Sequence, residues 1–323
     1  GDIHRIGAQF DDLAELKAGC FSRHWDKNLE AGEKWGVEPG RIYPDYHTML
    51  EEEAKRTGED RLDFVVVATP NNTHYEIVKD IIAHGFHIVC DKPVTFTSRE
   101  SEELKALAQE KDLLFGVSYS YAHYAILEQA KKMIADGVLG KIHTIAAEYP
   151  QEWVGLNTAL RGKDGLTWRV DPAICGPSGV IADIGTHVEY LISKVTGLKP
   201  VRVLARLRSI PDYVPVESDA QVLIDYDNGA AGIFWTSFAM VGKSCCMKVR
   251  IYGDKGGMEW NAHDFMELRV DIAGQPTQIW SANYDYCDPQ ARKSCRLPKG
   301  MPEAFHSLFA NFYRGYCSHL LSR

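Results

Sequence analysis

The chain has 323 residues, enough for two domains of ordinary size, and its 45% hydrophobic and 25% charged content is that of a globular protein. Its 36 basic and 44 acidic residues give a net charge of -8, which argues against a nucleic-acid or anionic-membrane partner, because either calls for a basic face. No apolar run approaches the roughly 20 residues that span a bilayer, no signal peptide is visible at the start, and eight cysteines are scattered without a Cys-x-x-Cys pair. Neither a disulfide framework nor a zinc knuckle is expected, and reduced thiols fit a cytoplasmic location.

Taken in chain order, residues 16–21 read as a weak strand and Thr48 to Lys55 as a short helix. The run from Asp63 to Thr69 is apolar and β-branched, so it reads as a strand buried on both faces, as in a parallel sheet. Pro70-Asn71-Asn72 breaks it, and a helix follows from about His74, with Ile77, Val78, Ile81 and Ile82 on one face and Gly85 at its end. His87 to Cys90 is a second buried strand. Thr97 and Glu100 have the spacing of a capping box for a helix that turns Leu104, Leu107 and Ala108 inward, and Leu113 to Val117 is a third strand. Strand–helix repeats with short connections predict a right-handed, doubly wound α/β domain, whose ligands bind beyond the carboxyl ends of the strands.

The pattern changes after about residue 140. Lys141 to Tyr149, Val201 to Leu207 and Ala220 to Tyr226 read as half-buried strands, and Asp227-Asn228-Gly229 is a hairpin turn into Gly232 to Ser237. Met247 to Tyr252 alternates again, which predicts an α+β domain with a mainly antiparallel open sheet. Beyond about residue 261 no clear period emerges. The expected domains are residues 1–121 and 122–323.

Four features carry chemistry. Asp91-Lys92-Pro93 follows a buried strand, so Lys92 would stand in the crevice above the sheet, or alternatively on a solvated surface. In the glycine-rich run from Gly176 to His187, Asp183 and His187 are four apart on one helix face: a proton-transferring histidine with an orienting carboxylate, or a helix-dipole choice beside a structural histidine. Thr69-Pro70-Asn71-Asn72-Thr73-His74 joins a strand to a helix N-terminus, a seat for a ribose or pyrophosphate as well as a plain cap. Trp168-Arg169 could cover a nicotinamide or sugar face and bind an anion, or be a buried indole with a snorkelling arginine. Of Tyr119, Tyr121 and Tyr124, one or more should line the crevice. His84 and His87 straddle a helix end and read as structural, and no metal cluster stands out.

These four features in this order resemble the Gfo/Idh/MocA family, glucose–fructose oxidoreductase and inositol dehydrogenase relatives, over essentially the whole chain. The family's usual Glu-Lys-Pro is Asp91-Lys92-Pro93 here, which leaves the role of Lys92 intact. The resemblance implies an N-terminal Rossmann domain and a C-terminal domain whose open sheet supports homodimers or homotetramers. It implies Lys92, Asp183 and His187 as the catalytic group: His187 takes a hydroxyl proton as a hydride leaves for the nicotinamide, Lys92 polarises the oxygen, and Asp183 holds substrate and His187. The cofactor would lie over Ser22, Thr69, Pro70, Asn71, His74, Asp91 and Lys92, with Trp168 and Arg169 in reach. Tyr119, Tyr121, Trp168, Asp183 and His187 would line the substrate. The family's first strand and glycine fingerprint would precede residue 1, with Gly1 as the tail of the fingerprint, so a truncated start is expected; the end at Leu321-Ser322-Arg323 also falls partway along a helix.

Where an NAD enzyme usually has an acidic residue after the second strand, this chain has Phe21-Ser22-Arg23. Ser22 and Arg23 could accept a 2′-phosphate, so NADP stays open beside NAD, the cofactor of levoglucosan dehydrogenase-like enzymes and glycoside 3-dehydrogenases, which the chain resembles. The expected activity is oxidation of a secondary hydroxyl of a sugar, glycoside or inositol, at C3 of a glycoside or anhydrosugar. The alternatives are an NAD-dependent glycosidase working by transient oxidation and a non-catalytic NAD- or sugar-sensing regulator.

Overall fold

The computed structural model describes residues 1–323. The chain divides into two compact units, one of Gly1–Ser118 with Phe309–Arg323 and one of Tyr119–Leu308. The boundary expected from sequence gave residues 309–323 to the second domain; in the structure they return to the first unit.

In the first unit, β1 (Phe64–Val67), β2 (His87–Cys90) and β3 (Phe115–Val117) form a parallel sheet in that order, with Phe64 opposite His87 and Ile88 opposite Phe115. Around it lie α1 (Asp2–Gln9), α2 (Trp25–Lys34), α3 (Tyr46–Glu53), α4 (His74–Ala83) and α5 (Ser98–Glu110). Alternate strand residues go to opposite faces, as the pleat requires. Val65, Val67, Ile88 and Cys90 pack with Val78, Ile81, Leu104 and Ala108. Phe64, Val66 and Val89 pack instead with Phe312, Tyr313 and Tyr316. Both faces are therefore apolar, which is why these strands read as unbroken hydrophobic runs. The capping box forms: the Thr97 side chain accepts from the Glu100 N–H, and the Glu100 carboxylate accepts from the Thr97 N–H. Gly85 (φ 76°) ends α4 in the left-handed region that glycine adopts without strain.

Residues 16–21, read as a strand, make only one parallel bridge, Gly19 to Ile42. Its single partner is Ile42, one extended residue after the 3-10 turn Pro39–Arg41, so no ladder forms. Beside it, a cavity of about 770 Å³ runs along the open edge of β1, lined by Leu13, Leu16, Val65, Val67, Ile81 and Leu320. Its lining also takes in charged Arg5, Glu15, Lys17, Arg61 and Asp63 and two of the predicted cofactor residues, Gly1 and Thr69, but none of the predicted catalytic residues.

The second unit is built on an eight-stranded sheet. In chain order its strands are β4 (Ile142–Pro150), β5 (Pro200–Arg208), β6 (Asp219–Tyr226), β7 (Ala231–Ser237), β8 (Lys248–Gly253), β9 (Gly256–Asn261), β10 (Glu267–Ile272) and β11 (Gln278–Ser281). In space they run β11-β10-β9-β8-β4-β7-β6-β5, antiparallel except for β4 beside β7. The helices are α6 (Ala125–Ala135), α7 (Trp153–Arg161), α8 (Pro172–Cys175), α9 (Thr186–Thr196), α10 (Pro289–Lys293) and the start of α11 (His306–Leu321). Ile145, Val222, Phe234, Ile251 and Trp260 share one core with Ile126, Met133, Val188 and Ile192 of α6 and α9. β5, expected to be half-buried, is exposed along its whole length. It is the outermost strand, so its alternation of apolar and polar residues does not translate into a buried face.

Candidate active site

The first unit gathers its polar groups at the carboxyl ends of the strands. After β1, exposed Thr69 and Pro70 lead into a turn of 3-10 helix, Asn71–Thr73, that opens α4. The Thr73 hydroxyl lies 2.7 Å from both the Thr69 hydroxyl and the Pro70 carbonyl oxygen, which fixes the turn. After β2 come Asp91, Lys92 and Pro93, with a cis peptide between Lys92 and Pro93. Asp91 Oδ1 accepts from His4 Nε2 at 2.9 Å and from the Ser118 hydroxyl at the end of β3. Burial acts to raise the Asp91 pKa, but the hydrogen bonds from His4 and Ser118 and the charge of Lys92 prevail and hold it at about 2.

His74 was expected to touch a cofactor. It is instead fully buried, with Nε2 2.9 Å from the Thr69 carbonyl oxygen and Nδ1 2.8 Å from that of Pro93. Both ring nitrogens are turned to backbone, so His74 ties together the turns after β1 and β2. Ser22 accepts from the His24 N–H at 3.1 Å, Arg23 is exposed, and Gly1 stands exposed before α1.

The second unit holds the other predicted residues. Asp183 lies in a π-helical turn, Ile181–Gly185, that runs directly into α9, where His187 is in the first turn. Such turns recur at functional sites because they re-aim side chains within a helix. The start of this segment is capped by a residue the sequence did not reveal. Glu217 Oε1 accepts from the Ser178 hydroxyl (2.6 Å), the Gly179 N–H (2.9 Å) and the Ile181 N–H (3.2 Å). At Gly179 a Cβ would stand 2.5 Å from the Glu217 carbonyl oxygen, so only glycine allows this approach.

His187 is 6% exposed and stands between two tyrosines. The Tyr119 ring is 5.6 Å away at 89°, and the Tyr121 ring is 4.9 Å away at 83°. Tyr119 stacks on Tyr190. The Tyr121 and Tyr149 hydroxyls lie 3.2 and 3.3 Å from Cys245 Sγ, and Cys245 has a left-handed backbone (φ 51°). Burial pushes the phenols of Tyr121 and Tyr149 up, and Cys245 adds to the effect. Tyr149 and Cys245 were not singled out from sequence, because nothing local marks them as neighbours of His187; Tyr190, three residues further along α9, could have been found from helical spacing. Tyr124, by contrast, is buried against Trp260 and Phe265 as a core residue. Trp168 is exposed, and the Arg169 guanidinium lies 4.8 Å from its ring centre, so the buried-indole reading is excluded for this pair.

The arrangement in the first unit is that of a nucleotide-binding domain: parallel strands, ligand-facing turns at their carboxyl ends, and a helix start beside them. Two family models match. One for the NAD-binding Rossmann fold of the Gfo/Idh/MocA oxidoreductases covers residues 6–119, and one for the Gfo/Idh/MocA C-terminal domain covers residues 127–259. The uncharacterized oxidoreductase YfiI of Bacillus subtilis is 36% identical over 97% of this chain and 80% of its own length. An inositol dehydrogenase homolog from Azotobacter vinelandii, complexed with NAD+, superposes with a TM-score of 0.92 at 34% identity, over 99% of this chain and 82% of that one. Levoglucosan dehydrogenase of Pseudarthrobacter phenanthrenivorans is 27% identical over 65% of this chain, which spans 58% of that enzyme. The protein is thus an oxidoreductase with an NAD-binding Rossmann domain, and it belongs to the Gfo/Idh/MocA family.

The residues present fit that nucleotide. Both hydrogen bonds to Asp91 fall on Oδ1, so Oδ2 remains to accept from a ribose hydroxyl, and Thr69, Pro70 and Asn71 line the start of α4. No cluster of metal-ligating side chains is found, and no helix is long and apolar enough to cross a membrane.

Proposed function

We propose that this protein oxidises a secondary hydroxyl of a sugar, glycoside or inositol, with C3 of a glycoside or anhydrosugar as the reacting position. The observation that carries this reading is His187, buried between the Tyr119 and Tyr121 rings one helical turn beyond Asp183. An imidazole is the side chain suited to take a hydroxyl proton near neutral pH. Lys92 polarises the hydroxyl oxygen as an ammonium donor, and Asp183 holds the substrate and the imidazole in orientation. The tyrosine rings and Trp168 offer flat apolar surface to a sugar ring. When bound, NAD supplies the nicotinamide carbon that accepts the hydride; Thr69, Pro70, Asn71 and Asp91 hold it, with NADP left to Ser22 and Arg23. The similarity to levoglucosan dehydrogenase and to an inositol dehydrogenase homolog crystallised with NADH and myo-inositol supports a cyclic polyol as substrate.

The test is absorbance of reduced nicotinamide, with NAD or NADP and a panel of inositols, free sugars, anhydrosugars and aryl glucosides. A rise with anhydrosugars or glycosides supports the proposal, and NMR of the product locates the ketone. A rise with inositols alone would overturn the C3 assignment. No rise while NADH binds would overturn the dehydrogenase, and release of aglycone without net reduction would establish the internal-redox glycosidase. Near-normal turnover in both Lys92→Ala and His187→Ala would remove those two residues from the mechanism.

We further propose a cytoplasmic homodimer or homotetramer. All eight cysteines are free thiols, and Leu204, Leu223 and Ile233, paired across one face of β5 to β7, leave an apolar patch exposed. Leu204→Lys should shift the wild-type species to a smaller one in sedimentation velocity; an unchanged species would place the interface elsewhere.

A further inference from the structure

We propose that His4 and His74 are positioning residues that clamp the Asp91-Lys92-Pro93 turn from both ends and so set where Lys92 stands. The inference rests on the function proposed above, since the position of Lys92 matters to turnover only if Lys92 acts on substrate.

The backbone alone holds this turn weakly. The Asp91 N–H donates to the Val67 carbonyl at 2.9 Å, and beyond that point the chain leaves the sheet. The Ser118 hydroxyl donates to Asp91 Oδ1, and two imidazoles add to it. His4, on α1 and 3% exposed, reaches Asp91 Oδ1 with Nε2 at 2.9 Å and the Tyr313 hydroxyl of α11 with Nδ1 at 2.8 Å. An ionised carboxylate only accepts, so Nε2 carries the proton, and in the neutral ring Nδ1 accepts from Tyr313. Phe309 packs across the ring at 5.1 Å and 78°, so the imidazole has no room to turn. At the other end His74 is seated with Nδ1 2.8 Å from the Pro93 carbonyl oxygen and Nε2 2.9 Å from that of Thr69; both are acceptors, so the single N–H of a neutral ring bonds one of them and the other nitrogen only abuts its neighbour. His4 thus bridges two fixed groups, and His74 is wedged between two. A glutamine can replace one of the two contacts, and a leucine neither. Lys92 is the residue between the two anchored positions, and its side chain starts from a backbone fixed on each side.

The experiment uses the full chain without cofactor or substrate. Lysines are reductively methylated with 13C-formaldehyde, and the Lys92 resonance is assigned by its absence in Lys92→Arg. In His4→Leu and His74→Leu this resonance should move toward the position of freely rotating lysines, while His4→Gln keeps it near the wild type. Once a substrate is known, kcat should fall by about 10- to 100-fold in the leucine variants, as expected for a catalytic group displaced by about an ångström, with a smaller change in KM and recovery in His4→Gln. If His4→Leu does not fold, Tyr313→Phe removes only the outer anchor of His4 and should shift the resonance in the same direction by less. A Lys92 resonance unmoved in the folded variants overturns the clamp. A resonance that moves in a protein inactive on every sugar and polyol leaves the clamp standing and overturns the function on which it was built.

Discussion

Replacing Glu217 by alanine should loosen the helix start that carries Asp183 and His187. Its carboxylate accepts three hydrogen bonds on one oxygen, two of them from N–H groups at the start of the π-helical turn. Those N–H groups have no partner within the helix, and the charge also faces the positive end of the helix dipole. Hydrogen bonds to charged groups contribute about 1.5–3 kcal/mol each when buried. Glu217 is only half-buried, so water recovers part of the loss, and about 2–3 kcal/mol in total is a fair figure. For a unit of this size, each kcal/mol lowers Tm by roughly 2–4 °C, so Glu217→Ala should melt about 4–12 °C lower by the same scaling. Glu217→Gln keeps an acceptor oxygen and loses the charge, so it should fall between the two. Calorimetry reads the stability, and turnover well below Tm reads the position of His187. If Glu217→Ala melts within about 1 °C of wild type, the capping argument fails. If it melts lower but turns over normally, the cap stabilises the helix without orienting His187.

Two further predictions concern the first unit. Arg41 and Glu53 form a buried ion pair, which Tyr43 completes by donating to Glu53. Arg41→Ala should destabilise by about 3 kcal/mol because it removes the bidentate partner of a buried carboxylate and leaves it only Tyr43 and Arg56, the latter 3.5 Å away, while Arg41→Met with Glu53→Leu should cost less; equal effects of the two changes in urea denaturation would refute this. Asp91 has a folded pKa of about 2 against an ordinary 3.8. The unfolded chain therefore binds more protons between these values, so stability from Asp91 is complete above about pH 4 and is lost as pH falls through 2. With the carboxylate about a third exposed, screening reduces this contribution to roughly 1 kcal/mol, and the stability gap between wild type and Asp91→Asn should close over that pH window.

What the sequence disclosed depended on how local the cause was. β1 and β2 were legible because strands covered on both faces must be apolar throughout, and Thr97 with Glu100 because a capping box is complete within four residues. Lys92, Asp183 and His187 stood out for the same reason, each in a short motif. Residues 16–21 show the limit: the run has the composition of a strand, but strands are made by partners, and this one finds a single bridge. β5 shows another, since alternation reports a face and not whether anything covers it. α11 was read only as the helix in which the chain ends, although Phe309, Phe312, Tyr313 and Tyr316 have the helical spacing that extends it back over the domain. The contacts that fix the site were beyond reach of spacing altogether: Glu217 lies 38 residues from Gly179, Asp91 lies 87 from His4, and Tyr313 lies 309 from His4.

The same reasoning bears on cofactor choice. Discrimination between NAD and NADP comes mostly from what repels the wrong one, and in NAD enzymes an acidic side chain both bonds the ribose diol and opposes a 2′-phosphate. The sequence reading puts at that place Ser22, whose hydroxyl accepts from the His24 N–H, and the exposed Arg23. Neither opposes a phosphate, so the preference for NAD over NADP should be narrow, within about 100-fold. Arg23→Ala should weaken NADPH binding about fivefold, the worth of one exposed charge pair of about 1 kcal/mol, and leave NADH unchanged. Ser22→Asp should restore the repulsion and widen the preference by at least about tenfold. Fluorescence titration with NADH and NADPH measures all three ratios. If Ser22→Asp leaves the ratio of the two Kd values where it was, the residue does not face the ribose, and the cofactor choice has to be sought elsewhere in the first unit.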